Sequence, residues 1–211
     1  MKLKVCGMVY PENLEQVAVL NPDYLGFIFY EKSPRFACYR LKPAHLDRLP
    51  PTIKKIGVFV NSDYRFIKDK VELYKLDLVQ LHGNESPEFC RQLVDSGLKI
   101  IKAFAVDESF DFVISEDYQE SCEYFLFDTK GKDYGGNGIT FDWKILNKYN
   151  NKKPFFMSGG LDLENIKSLV NYSHLNIHSL DVNSKFEIGP GFKDISKVKE
   201  LSEFLEKCHN L

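Results

Sequence analysis

The feature that most constrains what this chain can fold into is an alternation. Short apolar runs of strand length recur eight times, and most are followed by a turn and a helix-like stretch. The runs are Lys2–Val5, Tyr24–Phe29, Lys54–Val60, Leu78–Leu81, Lys99–Phe104, Tyr124–Phe127, Phe155–Met157 and Ser179–Val182. Pro11 opens a stretch to Leu20 that places Leu14, Val17 and Ala18 on one helical face. A weak helix is expected over Pro43–Leu49, one with the stripe Phe66, Ile67, Val71 and Tyr74 after Asn61, and one opened by Ser86-Pro87-Glu88. A poorly defined helix follows at Phe110–Tyr118, then stretches beginning at Phe141 and Leu163. A final helix turns Ile195, Val198, Leu201, Phe204 and Leu205 inward. Eight strands alternating with helices over 211 residues imply an α/β fold, a single compact (β/α)8 barrel spanning residues 1–211. An open doubly wound sheet would carry a glycine fingerprint after its first strand, whereas this chain reads Cys6-Gly7-Met8-Val9-Tyr10 there. No linker, repeat or low-complexity segment suggests a second domain.

The bulk numbers narrow the function classes. A formal net charge of -2 gives no footprint for nucleic acid. The five cysteines, Cys6, Cys38, Cys90, Cys122 and Cys208, are scattered without a CxxC pair, which argues against a disulfide framework or a zinc ribbon. The start MKLKVCGM lacks the apolar region of a signal peptide and no run is long enough for a bilayer, so a cytoplasmic protein is expected.

In such a barrel all strand C-termini open on one face, which gathers distant residues into one mouth. The run Phe125–Phe127 delivers Asp128 there, ahead of a glycine-rich segment with Gly135, Gly136 and Gly138. Cys6 ends the first strand. A thiolate at Cys6 can take a proton from carbon and a protonated Asp128 can give one to a leaving oxygen. Each role needs a protonation state that water disfavours at neutral pH, because free Cys titrates at about 8.5 and Asp at about 3.9. Nearby cations are expected to favour the thiolate, and partial desolvation the neutral acid. An inert packing cysteine and an aspartate that merely ends its strand are the competing readings. Ser158-Gly159-Gly160 and Asn183-Ser184 follow strands seven and eight, where barrels bind phosphate through backbone N–H groups; a plain tight turn is the alternative. Arg35 offers a rigid fork for a second carboxylate or phosphate on the ligand, against an exposed surface arginine, and His82 a substrate contact, against a purely structural histidine.

With their flanks, these residues resemble the phosphoribosylanthranilate isomerase family of tryptophan biosynthesis. The resemblance runs through KVCGM, GFIFYEKSPR, KIGVFVN, VQLHGNES, FDTKGKDYGGNGITFDW, FFMSGGL and LDVNSKFE, in the family's order. It implies a (β/α)8 barrel that carries out an Amadori rearrangement of N-(5-phosphoribosyl)anthranilate without metal or organic cofactor. It further implies Cys6 as general base, Asp128 as general acid and Arg35 on the anthranilate carboxylate. Gly159, Gly160, Asn183 and Ser184 would lie on the phosphate, with His82 and Asp181 as further substrate contacts. The implied partner is a small phosphosugar, with no nucleic acid or membrane, in a monomer or homodimer. Two positions depart from the family's pattern: Lys185, where a glycine is common, and Val9 in the first loop. The alternatives are another phosphosugar barrel, similar to indole-glycerol-phosphate synthase, or a barrel that binds phosphate without catalysis. The synthase needs a catalytic Lys and Glu, and Lys102 has no evident carboxylate partner in the sequence.

Overall fold

Successive side chains of a strand point to opposite sides, and in this chain both sides are largely apolar, so each strand must be covered twice. The computed structural model, which describes residues 1–129, 143–150 and 152–209, meets that demand with a closed parallel barrel in sequence order. Its strands are β1 (Lys2–Val5), β2 (Tyr24–Ile28), β3 (Lys54–Phe59), β4 (Leu78–Leu81), β5 (Ile100–Val106), β6 (Tyr124–Thr129), β7 (Phe155–Met157) and β8 (Ile177–Val182). β8 closes the ring on β1, with Leu3 opposite Leu180 and Val5 opposite Val182. The glycine-rich stretch from Lys130 to Asp142, with Gly135, Gly136 and Gly138, lies outside the described residues, as does the expected start of a helix at Phe141.

One parity fills the barrel, the other the layer between strands and outer segments. Cys6, Tyr24, Ile56, Val58, Leu78, Ile101, Ala103, Leu126 and Phe156 pack inside. Leu3, Val5, Leu25, Phe27, Phe59, Phe125, Phe127 and Phe155 face outward and are likewise buried. Five α-helices lie among the described residues: α1 (Pro11–Val19), α2 (Pro43–Leu46), α3 (Tyr64–Tyr74), α4 (Pro87–Asp95) and α5 (Ile195–His209). Asp63 and Ser86 cap α3 and α4 through the backbone N–H groups of Phe66 and Phe89. The expected helices at Phe110–Tyr118 and Leu163–Val170 are instead 3-10 segments, Phe112–Tyr118 and Asn165–Tyr172, and a third covers Trp143–Lys148. Large rings help cover this side of the barrel: Phe104, Phe112, Phe125, Phe127, Tyr149 and Phe155 form one continuous edge-to-face and tilted cluster. Among the described residues no helix is long and apolar enough to cross a membrane.

At the strand N-termini, Tyr24, Tyr124, Phe156 and His178 fill the barrel floor. The Tyr24 hydroxyl lies 2.8 Å from His178 Nε2, and the Tyr124 and His178 rings are 4.3 Å apart. Burial, with Lys2 adding to it, lowers the His178 pKa from 6.5 to about 4. A histidine that resists protonation only when folded adds stability above its unfolded pKa, and that share is lost as pH falls toward the folded value. Urea midpoints of the parent protein are therefore expected to drop between about pH 6.5 and 4. His178→Phe, which keeps a ring in the floor, should show a shallower drop; parallel curves would dismiss this assignment.

Candidate active site

The opposite end of the barrel is polar. Cys6 follows β1 and faces inward against Gly26, where a Cβ would stand 2.7 Å from its Sγ, so a bare strand position makes room for the thiol. Two residues earlier on the same side, Lys4 is fully buried. Its Nζ donates to Asp181 Oδ2 at 2.8 Å and to Gln80 Oε1. Burial alone would lower the Lys4 pKa, but the Asp181 carboxylate and the Cys6 thiol reverse this and hold it charged. For Cys6 the balance runs the other way: burial pushes the thiol up and the Asp181 charge adds to it, while Lys4 and Lys193 only oppose. The expected cations are present and do favour the thiolate, but burial of the thiol outweighs both ammonium groups. Asp181 Oδ1 is buried with no hydrogen-bond partner among the described residues.

β6 carries Asp128 to the same mouth with the parity of Leu126. Its Oδ1 accepts from the Thr129 backbone N–H at 2.9 Å, and His82 Nε2 stands 3.3 Å from Oδ2. His82 Nδ1 lies 2.7 Å from Gln80 Nε2. Asp181, Lys4, Gln80, His82 and Asp128 therefore form one connected row across the barrel, with Cys6 beside Lys4.

Arg35 is nearly buried and firmly held. Its Nε lies 3.0 Å from both Glu187 oxygens and its Nη2 2.8 Å from Oε2. Glu187 opens an antiparallel hairpin after β8, β9 (Glu187–Gly189) and β10 (Phe192–Lys193). Lys193 Nζ, fully buried, donates to Glu187 Oε1 at 2.6 Å and to Asn183 Oδ1 at 2.8 Å. Burial alone would raise the Glu187 carboxyl, but hydrogen bonds from Arg35 and the charge of Lys193 take it below its usual range. Two cations share one carboxylate, so the cluster keeps one net positive charge. Gly7 has φ +78, and a Cβ there would stand 2.8 Å from Arg35 Cδ and from Asn183 Oδ1, so the loops after β1, β2 and β8 meet on bare backbone.

The candidate phosphate loops sit side by side. Gly159 has φ +90, and a Cβ would fall 2.1 Å from Thr129 Oγ1, so only glycine fits. Gly160 has φ +63, and its carbonyl accepts from Asn165 Nδ2 at 2.9 Å. Asn183 leads into a 3-10 turn, Ser184–Phe186, and its side-chain oxygen is taken by Lys193. Lys185 is exposed on the outer flank, in a hollow shared with Asp162, Glu164 and Lys197. Val9, the other departure from the family's pattern, is buried against Gly191, where a Cβ would lie 2.6 Å from its Cγ2.

A family model described as N-(5'phosphoribosyl)anthranilate (PRA) isomerase matches residues 3–204. The chain belongs to this isomerase family. The N-(5'-phosphoribosyl)anthranilate isomerase of Parabacteroides distasonis is 46% identical over 202 residues, covering 94% of this chain and 90% of that protein. A solved phosphoribosyl anthranilate isomerase in complex with reduced 1-(o-carboxyphenylamino)-1-deoxyribulose 5-phosphate superposes with TM-score 0.80 at 29% identity, over 98% of this chain and 99% of that one. A second solved structure, of mutually generated monomers of the dimeric isomerase from Thermotoga maritima, has TM-score 0.77 at 30% identity and covers both chains in full.

In this member of the isomerase family, strand-end reading missed Lys4, Gln80, Glu187 and Lys193. Lys4 and Gln80 each sit between apolar neighbours inside a strand, and a polar residue at the inward parity of a fully covered strand is the signal that marks them. Lys102 needs a correction. It does have a carboxylate partner, Glu85 Oε2 at 2.9 Å, with both side chains 3% exposed. Yet Lys102 has the parity of Phe104 and Val106, which face the outer layer, and its ammonium also donates to the Gly83 carbonyl at 2.6 Å. The pair pins the loop after β4 and does not face the barrel interior.

Proposed function

We propose that this chain catalyses the Amadori rearrangement of N-(5-phosphoribosyl)anthranilate to 1-(2-carboxyphenylamino)-1-deoxyribulose 5-phosphate, acting as one catalytic domain in the cytoplasm. The observation that carries this reading is the polar row joining the Cys6 and Asp128 neighbourhoods across one mouth. Asp128 protonates the ribose ring oxygen as the C1′–O bond breaks and an iminium forms. Cys6 takes the C2′ proton, giving an enolamine. Loss of the enol proton and gain of one at C1′ yield the ketose. Each turnover leaves the thiol protonated and the carboxylate bare, so one proton must return from the first to the second. Arg35 holds the anthranilate carboxylate, the net positive cluster around it supplying the charge. Gly159, Gly160 and the backbone of Asn183 and Ser184 hold the phosphate, with His82 and Asp181 as further contacts.

Freshly prepared N-(5-phosphoribosyl)anthranilate followed by its fluorescence tests the reaction. Turnover is expected. Activity only on the deoxyribulose product would favour the indole-glycerol-phosphate synthase reading, and activity on neither a binding protein. Arg35→Ala is expected to raise KM by about 10- to 100-fold, the worth of a charged hydrogen bond, while inhibition by inorganic phosphate shifts far less. Equal weakening of both would remove Arg35 from the carboxylate.

A further inference from the structure

Every hydrogen bond in the polar row has a direction that its members dictate. The Lys4 ammonium has donors only, so the Gln80 atom it meets is the carbonyl Oε1. That turns the amide nitrogen of Gln80 toward His82, and an amide nitrogen only donates. His82 Nδ1 is then the acceptor, and the single proton of the neutral ring stands on Nε2, 3.3 Å from Asp128 Oδ2. The opposite tautomer would set Nδ1–H against the Gln80 amide hydrogens and a lone pair against the Asp128 carboxylate. Relieving the first clash by turning the amide would put its NH2 against the Lys4 ammonium. Lys4 cannot swing away, because Asp181 Oδ2 grips it at 2.8 Å and both are buried. Gln80 and His82 therefore keep the one sense that the Lys4 ammonium imposes, and burial strengthens that linkage.

We infer that Lys4 and Gln80 are positioning residues that fix His82 as its Nε2–H tautomer and so present a hydrogen-bond donor to Asp128. With Oδ1 held by the Thr129 N–H at 2.9 Å and Oδ2 by the ring, the plane of the Asp128 carboxyl group is set. The proton that Asp128 delivers must then leave from a lone pair that these two contacts do not use. The catalytic half of this inference rests on Asp128 as the general acid; the tautomer stands on geometry alone.

The test is two-bond 1H–15N NMR of ligand-free protein labelled in histidine, with His82 assigned by the signal lost in His82→Gln. The expected pattern is a protonated Nε2 and a bare Nδ1. Gln80→Glu offers His82 only acceptors, so it should put a proton on Nδ1, alone or beside the one on Nε2, and lower kcat on the order of 10- to 100-fold, with KM within about threefold. A protonated Nδ1 in the parent, or a Gln80→Glu protein that keeps the parent tautomer, overturns the inference. A proton on Nδ1 with unchanged kcat overturns its catalytic half. Should Gln80→Glu not fold, the parent spectrum decides the tautomer by itself. Should Asp128→Asn turn over normally beside the expected spectrum, the general-acid assignment fails, not the tautomer.

Discussion

Asp128→Asn is expected to lower kcat by about 10² to 10⁴-fold, the usual worth of one general acid. At about 1.4 kcal/mol per decade this amounts to roughly 3 to 5 kcal/mol of transition-state stabilisation. The substitution keeps the shape of the side chain, and Asp128 forms no ion pair apart from its contact with His82 among the described residues, so the fold should survive. The amide cannot hand a proton to the ribose ring oxygen. Steady-state turnover of N-(5-phosphoribosyl)anthranilate is the measurement, beside a urea denaturation to check the fold. A kcat within a few fold of the parent would strip Asp128 of the acid role.

Cys6→Ala should cost a comparable about 10² to 10⁴-fold, and Cys6→Ser should do little better because a serine hydroxyl is a far weaker acid than a thiol. The two variants separate packing from chemistry. Both leave Lys4, Asp181 and Gly26 in place, and Ser also fills most of the volume beside Gly26. Because burial places the Cys6 thiol above its ordinary range in the free protein, the thiolate fraction grows with pH. The reaction needs that thiolate beside a protonated Asp128, and a rise in pH that gains the first loses the second. The parent kcat/KM is therefore expected to stay level between the two titrations and to fall at alkaline pH once Cys6 ionises in the free pair; a steady climb toward alkaline pH would show that Asp128 need not carry a proton.

The barrel was legible because its strands are short apolar runs cut off by polar or glycine residues, and those limits survive whatever the outer segments do. The 3-10 segments were not legible: Phe112–Tyr118 and Asn165–Tyr172 have apolar spacing that suits an α-helix equally well. At the mouth, Cys6, Asp128 and His82 announced themselves by ending strands. Lys4 and Gln80 did not, since a polar residue between Leu3 and Val5, or between Val79 and Leu81, reads as a solvent-facing position until barrel closure turns it inward. Lys102 shows the converse. It too interrupts an apolar strand, but its parity sends it to the outer layer, where its carboxylate partner is a loop residue that no strand pattern could nominate. Glu187 and Lys193 escaped for another reason: they meet through a hairpin whose strands are three and two residues long.

The floor built by Tyr24, Tyr124, Phe156 and His178 has a kinetic corollary. A cylinder sealed at its base has a single doorway, so a spent molecule must back out along the path by which it arrived. Newcomers queue behind it, and the departing ketose and the arriving N-glycoside compete for one vestibule.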